Sequence, residues 1–374
     1  MRVAIVTESF YPQVNGVTNT VRHTVDRLLE TGHHAIVIAP GPGPTSYRSV
    51  QVVRVRHVGL PGYQSFSLGL PDAAVERALA AFRPDVVHLA SPIALGAVGL
   101  RAARRLAIPT VAVYQTDVGR FARQYGLAAE AFVGRWIGRI HRRASRTLVP
   151  STASLADLQA LGVPELHLWG RGVALDEFDP GHRSEELHDH WTRQERGVLA
   201  IGYVGRLAPE KQVGRLVEIA SVPGTRLVVI GDGPSRGLLE KALPTATFTG
   251  MLGGLDLARA FASLDVFVHT GEAETFCQTV QEAQASGVSV VAPAAGGPLD
   301  LVQPGRTGLL YDPADESSLR RAVATLVTDP DLRGSLAEQA LTHVRGRSWS
   351  TVVDELIDVH YAGVLGRRGG ELAA

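Results

Sequence analysis

The chain has 374 residues, 45% of them hydrophobic and 20% charged, with no net charge, which is enough sequence for two domains that each bury a core. Its single cysteine, Cys277, excludes an internal disulfide framework and leaves no cysteine cluster for a metal. No apolar run approaches the ~20 residues that span a bilayer, and MRVAIVTESF enters a strand without a signal-peptide pattern, so the cytoplasm is the expected compartment.

From the N-terminus, the apolar runs VAIVT, AIVIA, VVRV, DVVHLA and TVAVYQ predict strands. They alternate with helical patterns over Val17 to Glu30, Asp72 to Phe82 and Leu95 to Leu106. Residues Trp169 to Gly197 are polar, acidic and interrupted by Pro180 and Gly181, which predicts a linker. A second series of strands, LAIGYVG, RLVVIGDG, DVFVHT and VSVVAP, is separated by helices near Gly214 to Ala220, Gly237 to Leu243, Leu255 to Leu264 and Thr279 to Ser286. Apolar strands alternating with amphipathic helices predict an α/β chain of two Rossmann-like domains, 1–168 and 169–349. Ligands of such sheets bind beyond the C-terminal strand ends, so two facing sheets imply an interdomain cleft.

The neutral total conceals an asymmetry. Residues 1–168 hold 18 Arg against 10 acids, an excess of +8, and residues 169–374 hold 19 Arg plus Lys against 27 acids, an excess of −8. The positive charge gathers in Arg101, Arg104 and Arg105, and again in Arg135, Arg139, Arg142, Arg143 and Arg146, where Phe132, Trp136 and Ile137 interleave. A basic, apolar helix of this kind suits an anionic membrane surface, and no nucleic-acid partner is expected. The alternative is an ordinary surface helix with solvated arginines and Trp136 in the core; composition leaves both open.

The strongest chemical signal is GEAETFCQTVQE, in which Glu274 and Glu282 stand eight residues apart around an expected helix N-terminus. Helical rise separates them by roughly 12 Å, about the span from hexose to ribose in a sugar nucleotide. Between them, the amides of Phe276, Cys277, Gln278 and Thr279 are placed to receive phosphates. The loop after the first strand carries Pro12, Asn15 and Gly16 and leads into a helix, a setting for close backbone approach to an anion. In GRLAPEKQ, Arg206 contributes a forked donor and Lys211 a point charge, a pair suited to a departing diphosphate. IGDGP offers Gly231 and Gly233 after a strand, and AAGGPLDLV offers Gly296 and Gly297 near sugar or phosphate. Asp329, Pro330 and Asp331 mimic a metal-binding triplet but fall in an expected helix cap.

Taken together, VTESFYPQVNGVTNTV, DVVHLASP, VGRLAPEK and GEAETFCQTVQEA resemble the family 4 retaining glycosyltransferases of GT-B fold. They are most similar to the actinobacterial GDP-mannose-dependent α-mannosyltransferases that act on glycolipids. The resemblance implies transfer of a hexose, mannose from GDP-mannose, to a membrane glycolipid or other alcohol, by an enzyme peripheral to the inner face of the cell membrane. It implies front-face retention with no required cofactor, Mg²⁺ being compatible but not essential. Arg206, Lys211, Glu274 and His88 become the catalytic group, with Asn15, Gly16, Gly233, Phe276, Cys277, Gln278, Thr279 and Glu282 binding the donor. Tyr114 and Asp117 become acceptor contacts, and the final helix, 350–374, is expected to return to the N-terminal domain, with Trp349 at its start. Departures from the family pattern are Asn15 in place of a glycine, Ala90 in place of a second histidine, and Gln115 where histidine is frequent. Read without the resemblance, His88 is equally a core histidine.

Similar motifs occur in UDP-sugar-dependent glucosyl and sulfoquinovosyl lipid transferases. A sugar-nucleotide epimerase shares the two-domain fold, and a binding protein that has lost catalysis would retain the motifs. Met251, Leu252 and the Gly231 to Pro234 loop are expected to border the base without specifying guanine or uracil.

Overall fold

The computed structural model describes residues 1–60, 63–69, 72–115 and 127–371. They divide into two compact units, Met1–Arg171 with Trp349–Ala374, and Gly172–Ser348.

The first unit runs through β1 (Arg2–Thr7), α1 (Gly16–Glu30), β2 (His34–Pro40), β3 (Ser46–Tyr47), β4 (Val50–Val55) and a separate hairpin, β5 (His57–Leu60) with β6 (Tyr63–Gly69). It continues with α2 (Ala73–Phe82), β7 (Val86–Ala90), α3 (Leu95–Arg105), β8 (Thr110–Val113), α4 (Leu127–His141), β9 (Arg146–Val149), α5 (Thr152–Ala160) and β10 (Leu166–Leu168). Its eight-stranded sheet has the order β10-β9-β8-β7-β1-β2-β4-β3, parallel except for β3 against β4. Val3, Ala4, Ile5 and Val6 are all fully buried, as an apolar run covered by helices on both sheet faces must be.

The second unit holds α6 (Glu185–Thr192), β11 (Leu199–Val204), β12 (Thr225–Ile230), α7 (Arg236–Ala242), β13 (Thr247–Gly250), α8 (Gly254–Ala262), β14 (Val266–Val268), α9 (Gln278–Ala285), β15 (Ser289–Pro293), α10 (Pro298–Leu301), β16 (Leu309–Tyr311), α11 (Ser318–Thr328) and α12 (Pro330–Val344). Its six parallel strands lie in the order β13-β12-β11-β14-β15-β16, the doubly wound Rossmann arrangement. The chain then adds α13 (Trp349–Glu355), a π-helical turn (Leu356–Tyr361) and α14 (Ala362–Glu371) to the first unit. Arg27 clamps Asp354 there at 2.6 Å, Trp169 Nε1 donates to Val352 O at 2.9 Å, and Trp349 stacks on His23 at 4.4 Å.

Two expectations need correction. The segment read as a linker folds: Ser184 caps α6 by accepting from Leu187 N, Trp191 is buried, and His188 Nε2 lies 2.8 Å from Asp265. Its acidic composition is the solvated face of a helix anchored by one tryptophan. The helix expected near Gly214 is a 3-10 stretch, Val213–Glu218, entered through Gln212 in the left-handed region at φ 48°.

In both sheets the order changes direction beside the first strand of the unit, between β1 and β7 and between β11 and β14. Loops diverge at such switch points and leave room for a ligand. In the first unit that place is closed by Glu8, whose Oε1 accepts from Ile93 N, Ala94 N and Gly96 N at 2.8–2.9 Å. It supplies the cap that Ala94 does not provide for α3.

Two interior histidines make the first unit acid-sensitive. His88, in the middle of β7, lies 2.8 Å from Tyr361 Oη, and His141 Nδ1 lies 3.2 Å from Thr147 Oγ1. Burial pushes both pKa values down to about 3. A histidine in the unfolded chain titrates near ~6.5, so below that pH the unfolded state binds protons that the folded state refuses. Stability therefore falls as pH drops from ~6.5 toward ~3, by up to about 1.4 kcal/mol per pH unit for each histidine. Melting curves should show a lower Tm at about pH 5 than at about pH 7.5, with a smaller drop in His141→Asn. An equal or higher Tm at the lower pH would contradict this.

Candidate active site

The loops after β11 and β14 meet at the switch point of the second unit. A 3-10 turn, Pro209–Lys211, delivers Lys211, and Thr270 Oγ1 fixes its backbone by donating to Lys211 O at 2.7 Å. Lys211 Nζ reaches Glu274 Oε1 at 2.5 Å, and His269 Nε2 stands 3.3 Å from the same oxygen. The loop bearing Glu274 is held from behind, where Gly297 N donates to Glu274 O at 2.8 Å. A Cβ on Gly297 would fall 2.3 Å from Phe276 O, and one on Gly296 2.6 Å from Glu272 O. These glycines, expected near sugar or phosphate, serve the close packing of one backbone on another. Gly233 does the same, since its Cβ would fall 2.3 Å from Leu207 O.

Burial by itself would raise the pKa of Glu274, but Lys211 and His269 outweigh it and hold the carboxyl well below the usual range. Burial likewise opposes charge on His269; Cys277 and Glu274 overcome it and push the pKa up to about 10. Lys211 is raised against burial by Glu274 first, with smaller contributions from Cys277 and Glu210. The pair is therefore ionised across the neutral range.

The helix begins later than the spacing implied. Cys277 occupies the left-handed region at φ 81° as the N-cap of α9, without a side-chain cap bond, and Gln278 is the first helical residue. Only the steps from Gln278 to Glu282 are helical, so the roughly 12 Å of axial rise assigned to the two glutamates does not apply. Phe276 is buried in the core, Gln278 Nε2 donates to Gly172 O at 2.9 Å, and Cys277 Sγ lies 3.6 Å from Thr279 Oγ1. Glu282 is half-buried one turn into the helix. Arg206 is half-exposed and pairs with Glu210 at 2.9 Å.

The remaining candidates belong to the first unit. Asn15 Oδ1 accepts from Val17 N and Thr18 N at 3.0 Å as the cap of α1, while its Nδ2 donates to Ser9 Oγ at 2.8 Å. A Cβ on Gly16 would fall 2.7 Å from Arg171 Nη1, so the guanidinium lies close to the start of α1. His88 is an interior side chain bonded to Tyr361. Tyr114, expected at the acceptor, is 7% exposed and packs with Ile137, Val149, Leu158 and Val163, because its strand run continues into the core. Asp117 lies outside the described residues. Among the described residues no three His, Cys, Asp or Glu side chains converge as metal ligands.

Two family patterns match the chain, Glycosyltransferase Family 4 over residues 14–177 and Glycosyl transferases group 1 over residues 187–343. The chain is also 51% identical to a GDP-mannose-dependent α-mannosyltransferase of Mycobacterium tuberculosis over 381 aligned residues, covering 100% of this chain and 99% of that one. It belongs to the family 4 glycosyltransferases. A protein of the same description from Corynebacterium glutamicum is 43% identical over 98% of this glycosyltransferase and 89% of its own length. Sucrose-phosphate synthase of Thermosynechococcus elongatus superposes with a TM-score of 0.79 at 18% identity over the whole of both chains, a likeness of fold. The two Rossmann-like units of the glycosyltransferase are those of GT-B.

Sequence reasoning missed three residues of this glycosyltransferase that the folded chain brings to the switch points: Glu8, Arg171 and His269. Glu8 and His269 had a readable signal, since Glu8 directly follows the predicted strand VAIVT and His269 lies at the C-terminal end of the predicted strand DVFVHT, where an α/β sheet gathers its functional groups. Arg171 had none, because it approaches Gly16 from 155 positions away.

Proposed function

We propose that this glycosyltransferase moves mannose from GDP-mannose, with retention at the anomeric carbon, to a hydroxyl of a membrane glycolipid. The observation that carries the reading is the ionised Lys211–Glu274 pair at the switch point, beside the uncapped start of α9, in a chain half identical to a GDP-mannose-dependent α-mannosyltransferase. In the reaction the bond from the anomeric carbon to the diphosphate oxygen breaks and a bond to the acceptor oxygen forms on the same face. The acceptor proton passes to the leaving phosphate. Lys211, Arg206 and the amides at the start of α9 stabilise the charge that grows on the diphosphate. Glu274 orients hexose hydroxyls and Glu282 accepts from the ribose.

Lys211→Ala should cost about 2–4 kcal/mol of transition-state stabilisation, as loss of an electrostatic donor does in a closed site. Arg206→Ala should cost less, since its guanidinium is already paired in solvent with Glu210. Initial rates with GDP-mannose measure both, with circular dichroism reporting the fold. Near-normal turnover in Lys211→Ala would remove the assignment.

The same reading places the enzyme on the anionic inner face of the cell membrane through α4. Arg135 and Arg139 are exposed there, Arg142 and Arg143 are exposed just past its end, and Phe132 is 65% exposed. Helical spacing puts Phe132, Arg135 and Arg139 on one face. Trp136, Ile137 and Arg146 do not join them: Trp136 Nε1 donates to Ile93 O at 2.9 Å, Ile137 is core, and Arg146 is buried and donates to Val359 O at 3.1 Å. No helix among the described residues is long and apolar enough to cross a membrane. Each arginine near an anionic surface contributes about 1 kcal/mol. Sedimentation with anionic vesicles at low salt should be lost near ~1 M salt, where the Debye length is ~3 Å, and in the triple change of Arg135, Arg139 and Arg143 to Ser. Equal sedimentation with neutral vesicles would reject the surface.

A further inference from the structure

We propose that His269 is the positioning residue of Glu274: with Lys211 it pins one carboxylate oxygen, Oε1, and so reserves Oε2 for a hydroxyl of the transferred hexose. This rests on reading Glu274 as the group that meets the sugar.

Both contacts fall on the same atom. Lys211 Nζ lies 2.5 Å and His269 Nε2 3.3 Å from Oε1, and among the described residues no contact falls on Oε2. A carboxylate held at one oxygen by a single flexible lysine can swing about its side-chain torsions. A second contact from a ring of fixed orientation removes that freedom. His269 is such a ring. It is 3% exposed, its backbone N donates to Val291 O at 2.9 Å as β14 ends, and its face lies 12° from parallel to that of Tyr203, with centroids 6.5 Å apart. Tyr203 is fully buried and donates to Arg206 O at 3.2 Å, so the stack runs from the carboxylate back to the Arg206 loop.

Gly271 shows that the backbone makes room for this contact. A Cβ there would fall 2.9 Å from Glu274 Oε1 and 3.0 Å from His269 Nε2, between the two groups.

The test compares His269→Leu, which keeps bulk, with His269→Gln, which keeps a donor near the position of Nε2. Both are measured for kcat and KM with the donor, for calorimetric binding of free GDP, and for Tm. Loss of this contact, which frees the carboxylate to move, should lower kcat about 10- to 100-fold in His269→Leu, with GDP affinity within about twofold, and His269→Gln should recover a large part. Gly271→Ala leaves His269 in place but sets a methyl between the partners. It should reproduce the kcat loss and gives the answer if His269→Leu does not fold. Equal losses in the Leu and Gln variants, or normal kcat in Gly271→Ala, would overturn the proposal. Glu274→Gln separates the two levels. If it turns over normally, the reading of Glu274 itself fails; if it is inactive while His269→Leu is normal, only the role given to His269 fails.

Discussion

The meeting of Lys211 with Glu274 is the contact on which the rest of the second unit's site depends. It joins the loop after β11 to the loop after β14, two strands adjacent in space and separated by two others in sequence. The loop after β11 has a 3-10 turn of its own, in which Lys211 N donates to Ala208 O at 3.0 Å. The loop bearing Glu274 has no helix under it until Gln278, and it is supported by the backbone of Gly297 and by the ion pair. Truncating one partner of a buried pair costs about 3–5 kcal/mol, and solvent lowers that figure here because the Lys211 side chain is 30% exposed. A site assembled in this way is held at the carboxylate, beside a helix start whose N-cap, Cys277, makes no side-chain cap bond.

Glycine has a consistent role around the pair. Gly233, Gly296, Gly297 and Gly271 each sit where a methyl group would collide with backbone or with the Glu274 carboxylate. They bring loops from different strands together. The first unit uses a different device at its own switch point: the Glu8 carboxylate occupies the start of α3, so that position is not available to a substrate phosphate.

Much of this was legible in the sequence. The long apolar runs VAIVT, AIVIA and LAIGYVG correspond to central strands because a parallel strand buried on both faces has no polar alternation to confuse it with a helix. β9, β10, β13 and β16 escaped because three or four residues, RTLV, LHL, TFTG and LLY, show no period, and only pairing with a neighbour makes them strands. The linker reading failed at Trp191, whose burial outweighs the acidic composition around it. The motifs singled out Lys211 and Glu274 but not their ion pair, because their meeting is a property of strand order. The helix read at Thr279 to Ser286 corresponds to α9 within one residue at each end, but the spacing argument carried helical rise back to Glu274, four residues before α9 starts, and the left-handed Cys277 at that boundary leaves no trace in a hydrophobic pattern.

The central claim is retaining hexosyl transfer from a guanosine diphosphate sugar, and the anomeric configuration of the product tests it most directly. The enzyme would be incubated with GDP-mannose carrying ¹³C at the anomeric carbon and with a lipid-extract acceptor, and the product read by NMR. The account predicts an α-mannoside on the lipid, with the configuration of the donor preserved and GDP released in equal amount. A β-mannoside, an epimerised sugar nucleotide formed without acceptor, or labelled product from UDP-hexose alone would contradict it.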